Sequence, residues 1–228
     1  MLRLRIAEMF RNTVQGEGPS TGQRAAFIRL CGCNLDCGWC DTPFTWDARR
    51  YDLSAESQWW SVNSLVAWAL EGTEPIIVIT GGEPLLQPGV VPLALQLLAA
   101  GRRVEFETNG TIAPPLPLAG AGIQWNVSPK LSGSGVVEDR RIVPAALEAF
   151  AALGTAVFKF AVSSPEELAE ISELEARFGL TPVWVMPVAT TRETVQAGLR
   201  LLADPVVARG WHLGTRLHIT IWDTDRGR

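Results

Sequence analysis

Short apolar-rich runs alternate along this chain with longer segments of helical period. The runs at 26–30, 76–79, 104–107, 123–127, 156–162, 183–185 and 217–221 predict strands. Helical patterns fall between them at 64–70, 90–100, 145–153, 165–178 and 192–208. Pro165 follows two serines and precedes two glutamates, a helix start with an acidic first turn, and Gly179 is its stop. Apolar strands separated by helices imply an α/β fold with a mostly parallel sheet covered on both faces. Seven such strands are too few for a closed (β/α) barrel of roughly eight. An incomplete (β/α) barrel is therefore expected, as a single domain over residues 1–222 with a tail at 223–228.

Polar motifs follow the expected strand ends. A cysteine loop follows the first, Thr80-Gly-Gly-Glu83 the second, Thr108-Asn-Gly110 the third and Ser128-Pro-Lys130 the fourth. Open and barrel-type α/β folds place their chemistry at the carboxyl ends of parallel strands. Motifs on successive strand ends should converge on one mouth.

All four cysteines lie between residues 31 and 40, and three of them read Cys33-x3-Cys37-x2-Cys40. Thiolates grouped this way in a chain of enzyme length suggest metal or redox work more than disulfides. Three thiolates can hold three irons of a 4Fe–4S cluster and leave the fourth iron open to a small molecule, whereas a ferredoxin site closes every corner. The alternative is a zinc-binding interaction module with Cys31 as fourth ligand. One residue separates Cys31 from Cys33, where zinc ligand pairs usually have roughly two to four between them. Cys31 reads more naturally as a small apolar residue closing a strand.

Composition narrows the class further. Apolar residues make up 47% and charged residues 19% of the 228 positions, enough for a substantial core. A net charge of −4 with no basic run gives no electrostatic case for nucleic acid. No apolar stretch approaches membrane-spanning length, and Met1 to Ile6 runs into mixed polar sequence without a secretory core, so a cytoplasmic enzyme is expected. Only two of the 20 basic residues are lysines, Lys130 and Lys159, and Lys159 stands inside an apolar run. Lysine is a compact charge that arginine does not replace in a tight pocket, so both are candidate site residues, with snorkelling at a strand end as the plain alternative.

The cysteine spacing resembles the cluster loop of radical S-adenosylmethionine enzymes, and Thr80-Gly-Gly-Glu-Pro84 matches a second stretch of that superfamily one β/α unit later. The resemblance implies that the open iron binds S-adenosylmethionine and that its reductive cleavage gives a 5′-deoxyadenosyl radical. Trp39 matches the aromatic position beside the adenine, and Glu83 the carboxylate that holds the methionine amino group. The glycines read as letting backbone approach the ligand.

Thr13-Val-Gln-Gly-Glu-Gly18, Cys40-Asp-Thr42, Thr108-Asn-Gly110, Ser128-Pro-Lys130 and the terminal pair His218 and Trp222 together resemble the 7-carboxy-7-deazaguanine synthase family, from residue 8 to about 222. That resemblance implies conversion of 6-carboxy-5,6,7,8-tetrahydropterin to 7-carboxy-7-deazaguanine with loss of ammonia, a carbon–nitrogen lyase of queuosine-type biosynthesis. It implies cluster ligation by Cys33, Cys37 and Cys40, and Mg2+ on the Thr42 hydroxyl. S-adenosylmethionine would meet Trp39, Cys40, Asp41, Gly82, Glu83, Ser128, Pro129, Lys130, Val185, Met186, Pro187 and Val188. Substrate would meet Val14, Gln15, Gly16, Glu17, Arg29, Thr80, Asn109 and His218, with Glu107 a further candidate. No catalytic side chain is implied beyond the cluster and cofactor. A flavodoxin or ferredoxin donor and a homodimer are also implied.

Two features depart from the family pattern. Met186 stands where the family often has glutamine. Some members also end near the last strand and offer a terminal carboxylate to the pterin, while this sequence runs on through Asp223-Thr-Asp-Arg-Gly-Arg228. Three arrangements fit that tail: disorder, Asp223 or Asp225 in place of the carboxylate, or no contact. A glycyl-radical activase is the nearest rival within the superfamily. It would need a groove for a protein loop and has no use for Gln-Gly-Glu-Gly.

Overall fold

The computed structural model describes residues 2–228. Nine strands form one sheet in the order β3-β1-β2-β4-β5-β6-β7-β8-β9. From β2 (Arg24–Leu30) the pairing is parallel through β4 (Ile76–Gly81), β5 (Arg103–Thr108), β6 (Gln124–Val127), β7 (Ala156–Val162), β8 (Val183–Pro187) and β9 (His212–Leu213). The sheet has two edges and does not close, so the incomplete barrel is borne out.

β1 (Arg3–Val14) and β3 (Gln58–Ser61) extend the sheet antiparallel at one edge. Neither was expected from the sequence. β1 mixes polar and apolar residues without a clean period, because most of it is only partly covered.

Strand alternation divides the molecule. Along the parallel strands one set of side chains turns outward beneath the helices: Ile28 and Leu30, Ile77 and Ile79, Val104 and Phe106, Trp125 and Val127, Phe158 and Phe160. These pack against α1 (Val62–Glu71), α2 (Val90–Ala99), α3 (Leu116–Ala119), α5 (Pro144–Ala151), α6 (Leu168–Phe178) and α7 (Arg192–Val207) in one continuous core. The intervening positions face the hollow of the curved sheet, where β4 supplies Ile76 and Val78 to a small apolar cluster with Ala25 and Phe27. Glu105 lies level with Val78, and above that cluster the inward positions turn polar: Arg29, Thr80, Glu107, Asn126 and Lys159.

The helices begin and end on local signals. Pro165–Glu167 forms a 3-10 turn leading into α6, and Gly179 closes that helix in the left-handed region at φ 66°. Thr191 and Thr194 cap the start of α7 reciprocally. A short helix, α4 (Glu138–Arg141), precedes α5.

One expected strand is corrected. Residues 217–221 belong to a helix, α8 (Leu217–Trp222), and the last strand is instead the short β9. β9 already fills the place beside β8, and Ile219 packs with Ala189 and Val195. Tertiary packing overrides the β-branched composition of this run.

Phe106 is fully buried and stacks on Trp125 with ring centroids 4.7 Å apart. Phe106→Ala is expected to cost about 3–5 kcal/mol, read as a lowered denaturation midpoint with an unchanged denaturant slope.

Candidate active site

A cavity of about 240 Å³ opens at the carboxyl ends of the parallel strands. The polar motifs do converge there, each carried by a different strand end. Cys33, Cys37, Trp39, Cys40, Asp41 and Thr42 line it from the loop after β2, and Thr80, Gly81 and Gly82 from β4 and the turn that follows. Asn109, Ser128 and Lys130 come from the turns after β5 and β6, and Met186, Pro187 and Val188 from β8 and its end. Val14, Gln15, Gly16, Glu17, Arg29 and His218 complete the opposite side.

Three expected cofactor contacts are not on the wall: Glu83, Pro129 and Val185. Glu83 is fully buried, and its carboxyl accepts from the backbone N–H groups of Leu85 and Asn109 and from the Thr108 hydroxyl. It braces the Thr108-Asn109 turn. Burial outweighs those donors and pushes the Glu83 carboxyl up to about 7.

The glycine pair, on the cavity wall, also has a second use. A Cβ at Gly82 would lie 2.3 Å from the Gly32 carbonyl oxygen and 2.6 Å from Cys33 Cβ, and one at Gly81 2.6 Å from the Leu30 carbonyl oxygen. What approaches these glycines so closely is the cysteine loop itself. The two motifs are packed on each other, and Glu83 N–H donates to the Gly32 carbonyl at 2.8 Å.

Cys33, Cys37 and Cys40 gather in one cluster with Leu35 and Val136. The Leu35 N–H points at Cys33 Sγ at 3.4 Å and Trp46 Nε1–H at Cys40 Sγ at 3.3 Å. Burial raises the Cys33 thiol to about 11, and Glu83 and the neighbouring sulfurs push it the same way. Burial raises Cys37 as well, against the pull of Lys130. Thiolates are costly here unless a metal supplies positive charge, and N–H donors aimed at the sulfurs suit an iron–sulfur cluster. Cys31 is turned away: it is buried, donates to the Thr45 carbonyl at 3.1 Å and does not line the cavity. Among the described residues no three His, Cys, Asp or Glu side chains converge on a single metal ion. A zinc site built with Cys31 has no geometry in this fold.

Near the cysteine loop, Lys130 Nζ donates to the carbonyl and hydroxyl oxygens of Ser128 at 2.9 and 2.8 Å and lies 5.8 Å from the Trp39 ring centroid. Thr42 starts a 3-10 turn, its hydroxyl 3.8 Å from Cys40 Sγ. Across the cavity, Arg29 Nε pairs with Glu8 at 2.9 Å, and Leu217 N–H donates to the Gly16 carbonyl. A Cβ at Gly16 would fall 2.1 Å from His218 Nδ1, so that glycine admits the imidazole. Burial holds His218 below its ordinary value, against the pull of Glu17.

From sequence Lys159 is a candidate without partners, and Arg216 is not singled out. Lys159 bridges Glu17 and Glu107 at 3.0 and 2.6 Å, and Arg216 bridges Glu17 at 3.1 Å to Asp41. Lysine inside an apolar run was a signal for the first; the sequence carried none for Arg216. The tail folds back on the domain. Arg226 pairs with Glu8 and Glu56 and lies over the Phe44 ring, and Arg228 reaches the cavity wall. Asp223 faces Arg192, and neither Asp223 nor Asp225 lines the cavity, so neither stands in for a pocket carboxylate.

Residues 27–119 match the radical SAM superfamily. A 7-carboxy-7-deazaguanine synthase of Pyrobaculum aerophilum is 36% identical over 99% of this chain and 98% of its own length. The chain belongs to the 7-carboxy-7-deazaguanine synthase family. The member from Hyperthermus butylicus is 33% identical, covering 96% of this chain and 92% of its own. QueE from Escherichia coli superposes with a TM-score of 0.73 at 30% identity, over 95% of both chains. Streptococcus suis SuiB bound to its precursor peptide shares the fold, with a TM-score of 0.59 at 14% identity over 82% of this chain and 47% of that one. The synthase family implies a 4Fe–4S cluster and S-adenosylmethionine, and the thiol environment described above fits the cluster. No helix is long and apolar enough to cross a membrane among the described residues.

Iron and sulfide analysis after anaerobic reconstitution checks the thiol assignment. Cys33→Ala, Cys37→Ala and Cys40→Ala should each lose the cluster, and Cys31→Ala should keep it. Gly82→Ala should also lose it, because its Cβ displaces the cysteine loop, while far-UV circular dichroism stays native.

Proposed function

We propose that this chain converts 6-carboxy-5,6,7,8-tetrahydropterin to 7-carboxy-7-deazaguanine, with release of ammonia, using a cluster held by Cys33, Cys37 and Cys40. The observation that carries this reading is one cavity lined by the three thiols together with Gln15, Glu17, Arg29, Thr80, Asn109 and His218. A glycyl-radical activase would need a groove for a protein loop and has no use for Gln15, Gly16 and Glu17 on the wall. Cys33, Cys37 and Cys40 would hold the cluster, which when bound would supply one-electron reduction of S-adenosylmethionine and so the means of hydrogen abstraction.

The chain's own residues bind and orient. The Gly82 backbone, the Ser128-Pro129-Lys130 turn and Met186 to Val188 border the cofactor, with Trp39 beside the adenine. Methionine at 186 brings a thioether where an amide could donate, so recognition on this wall falls to backbone groups of Pro187 and Val188. Arg29 uses its Nε on Glu8, and its remaining N–H groups meet the substrate carboxylate in a charge-assisted pair. The Thr42 hydroxyl offers a hard oxygen on the wall. Mg2+ there would complete its shell with substrate oxygens and water and orient that carboxylate. Phe10 and Phe27, stacked with ring centroids 4.9 Å apart, form an apolar flank that keeps water from the reacting face. A flavodoxin or ferredoxin serves as electron donor, and the active form is a homodimer.

The test is anaerobic incubation of the reconstituted protein with S-adenosylmethionine, Mg2+, reductant and the carboxy-tetrahydropterin, followed by mass analysis. Appearance of 7-carboxy-7-deazaguanine without matching loss of S-adenosylmethionine is the expected result. Slow 5′-deoxyadenosine formation with no deazaguanine would remove the substrate reading. In the same assay Arg29→Gln should raise KM about tenfold to a hundredfold, the loss of a hydrogen-bonded charge pair. Omission of Mg2+ should lower turnover in the wild type.

A further inference from the structure

Beneath the cavity the sheet buries more carboxylates than a hydrophobic interior tolerates unaided. Glu105 and Glu107 both point inward from β5, and Glu17 reaches in from the loop after β1. Glu105 is closed off by the Ser20 hydroxyl and by Arg103 at 3.1 Å. Glu107 Oε1 accepts from Gln15 Nε2 and Asn126 Nδ2, each at 3.1 Å, and Oε2 pairs with Lys159. Glu17 takes Lys159 on Oε2 and Arg216 on Oε1. Lys159, 1% exposed, is the one group that joins the two carboxylates on the wall.

A carboxylate offers about four acceptor positions. Two are used on Glu17, which leaves roughly two, and three on Glu107, which leaves roughly one. Protonation of either group would turn one of these positions into a donor. We propose that Lys159 is a positioning residue for the substrate: by bridging Glu17 to Glu107 it fixes both as ionised acceptors for the N–H-rich aminopyrimidinone edge of a bicyclic ligand. The inference rests on the substrate reading above and deepens it.

The surrounding charges agree. Glu17 faces Lys159 from β7, Arg216 and His218 from the last segment and Asp41 beyond Arg216. Burial pushes its carboxyl up, but Lys159 and Arg216 outweigh that and hold it below its ordinary range. Glu107 faces Lys159, Glu17 and Glu105. Burial raises it, Lys159 opposes, and the two carboxylates add to the rise, leaving it near 6. Glu107 is therefore the member that protonates first when the ammonium is removed. A Cβ at Gly18, a position at φ 67°, would lie 3.2 Å from Lys159 Cδ, so glycine there leaves room for the lysine stem.

Lys159→Met keeps the stem and removes the charge. Compared with wild type at each pH, reconstituted Lys159→Met should show KM for the pterin raised about tenfold or more at pH 7, with kcat changed less. The deficit should shrink as pH rises towards 9, where Glu107 ionises without help. Iron and sulfide content and the far-UV circular dichroism should match wild type, which separates lost recognition from lost folding. An equal KM at all pH values, a deficit that does not change with pH, or a loss confined to kcat would overturn the proposal. If wild type makes no deazaguanine, the substrate reading fails and this inference with it. Normal wild-type turnover with an unaltered variant sinks the inference alone.

Discussion

Carboxylates cannot be left uncompensated inside a parallel sheet, and the hollow of this one holds Glu17, Glu105 and Glu107. Desolvation of an unpaired ion costs several kcal/mol, so each must find a cation or a set of donors. Lys159, Arg216 and Arg103 supply the charge, and Gln15, Asn126 and Ser20 the remaining hydrogen bonds. That requirement ties the loop after β1 to β5, β6 and β7 and to the segment before α8. The position of the Gln15-Gly16-Glu17 stretch is thus set by charge compensation as much as by chain connection.

The cysteine side is governed by close backbone approach instead. Gly81 and Gly82 admit Leu30 and Gly32 at distances no side chain would allow. Glu83, buried behind them, fastens the Thr108-Asn109 turn to the same unit. The loop that would carry iron is therefore seated on two neighbouring strand ends rather than held by its cysteines alone. The two sides of the cavity meet at Arg216, which spans Glu17 and Asp41, the residue following the last cysteine.

Much of this was legible where chemistry demands a residue type at a fixed local spacing. The cysteine loop, Gly81-Gly82 and Ser128-Pro-Lys130 were placed on strand ends from sequence and stand on one cavity. The parallel strands were legible because burial on both faces leaves a short apolar run. What escaped was non-local. Glu17 and Lys159 are 142 positions apart, and Arg216 is 199 from Glu17, so only the topology brings them together. Glu83 reads as a ligand from its motif, yet its side chain turns to partners on β5 that spacing does not reveal. Leu217 to Ile221 reads as a strand from composition, but which element occupies a sheet edge is decided by the whole sheet.

The buried ion network is poor evidence for a stabilising role. Replacing such a network with apolar side chains of similar volume is often neutral or favourable to stability, whereas removing one partner is costly. The outward positions of the same strands show that this chain fills space with Phe106, Trp125, Phe158 and Phe160 where only packing is required. Charge enters at inward positions: Arg29, Glu107 and Lys159 stand on the cavity wall, while Glu105, level with Val78, is compensated by Ser20 and Arg103. The cost borne on the cavity wall is the part that recognition would explain. On the substrate reading proposed above, the polar wall of the hollow is the surface that binds, and the apolar positions beside and below it are the support that keeps its charges in place.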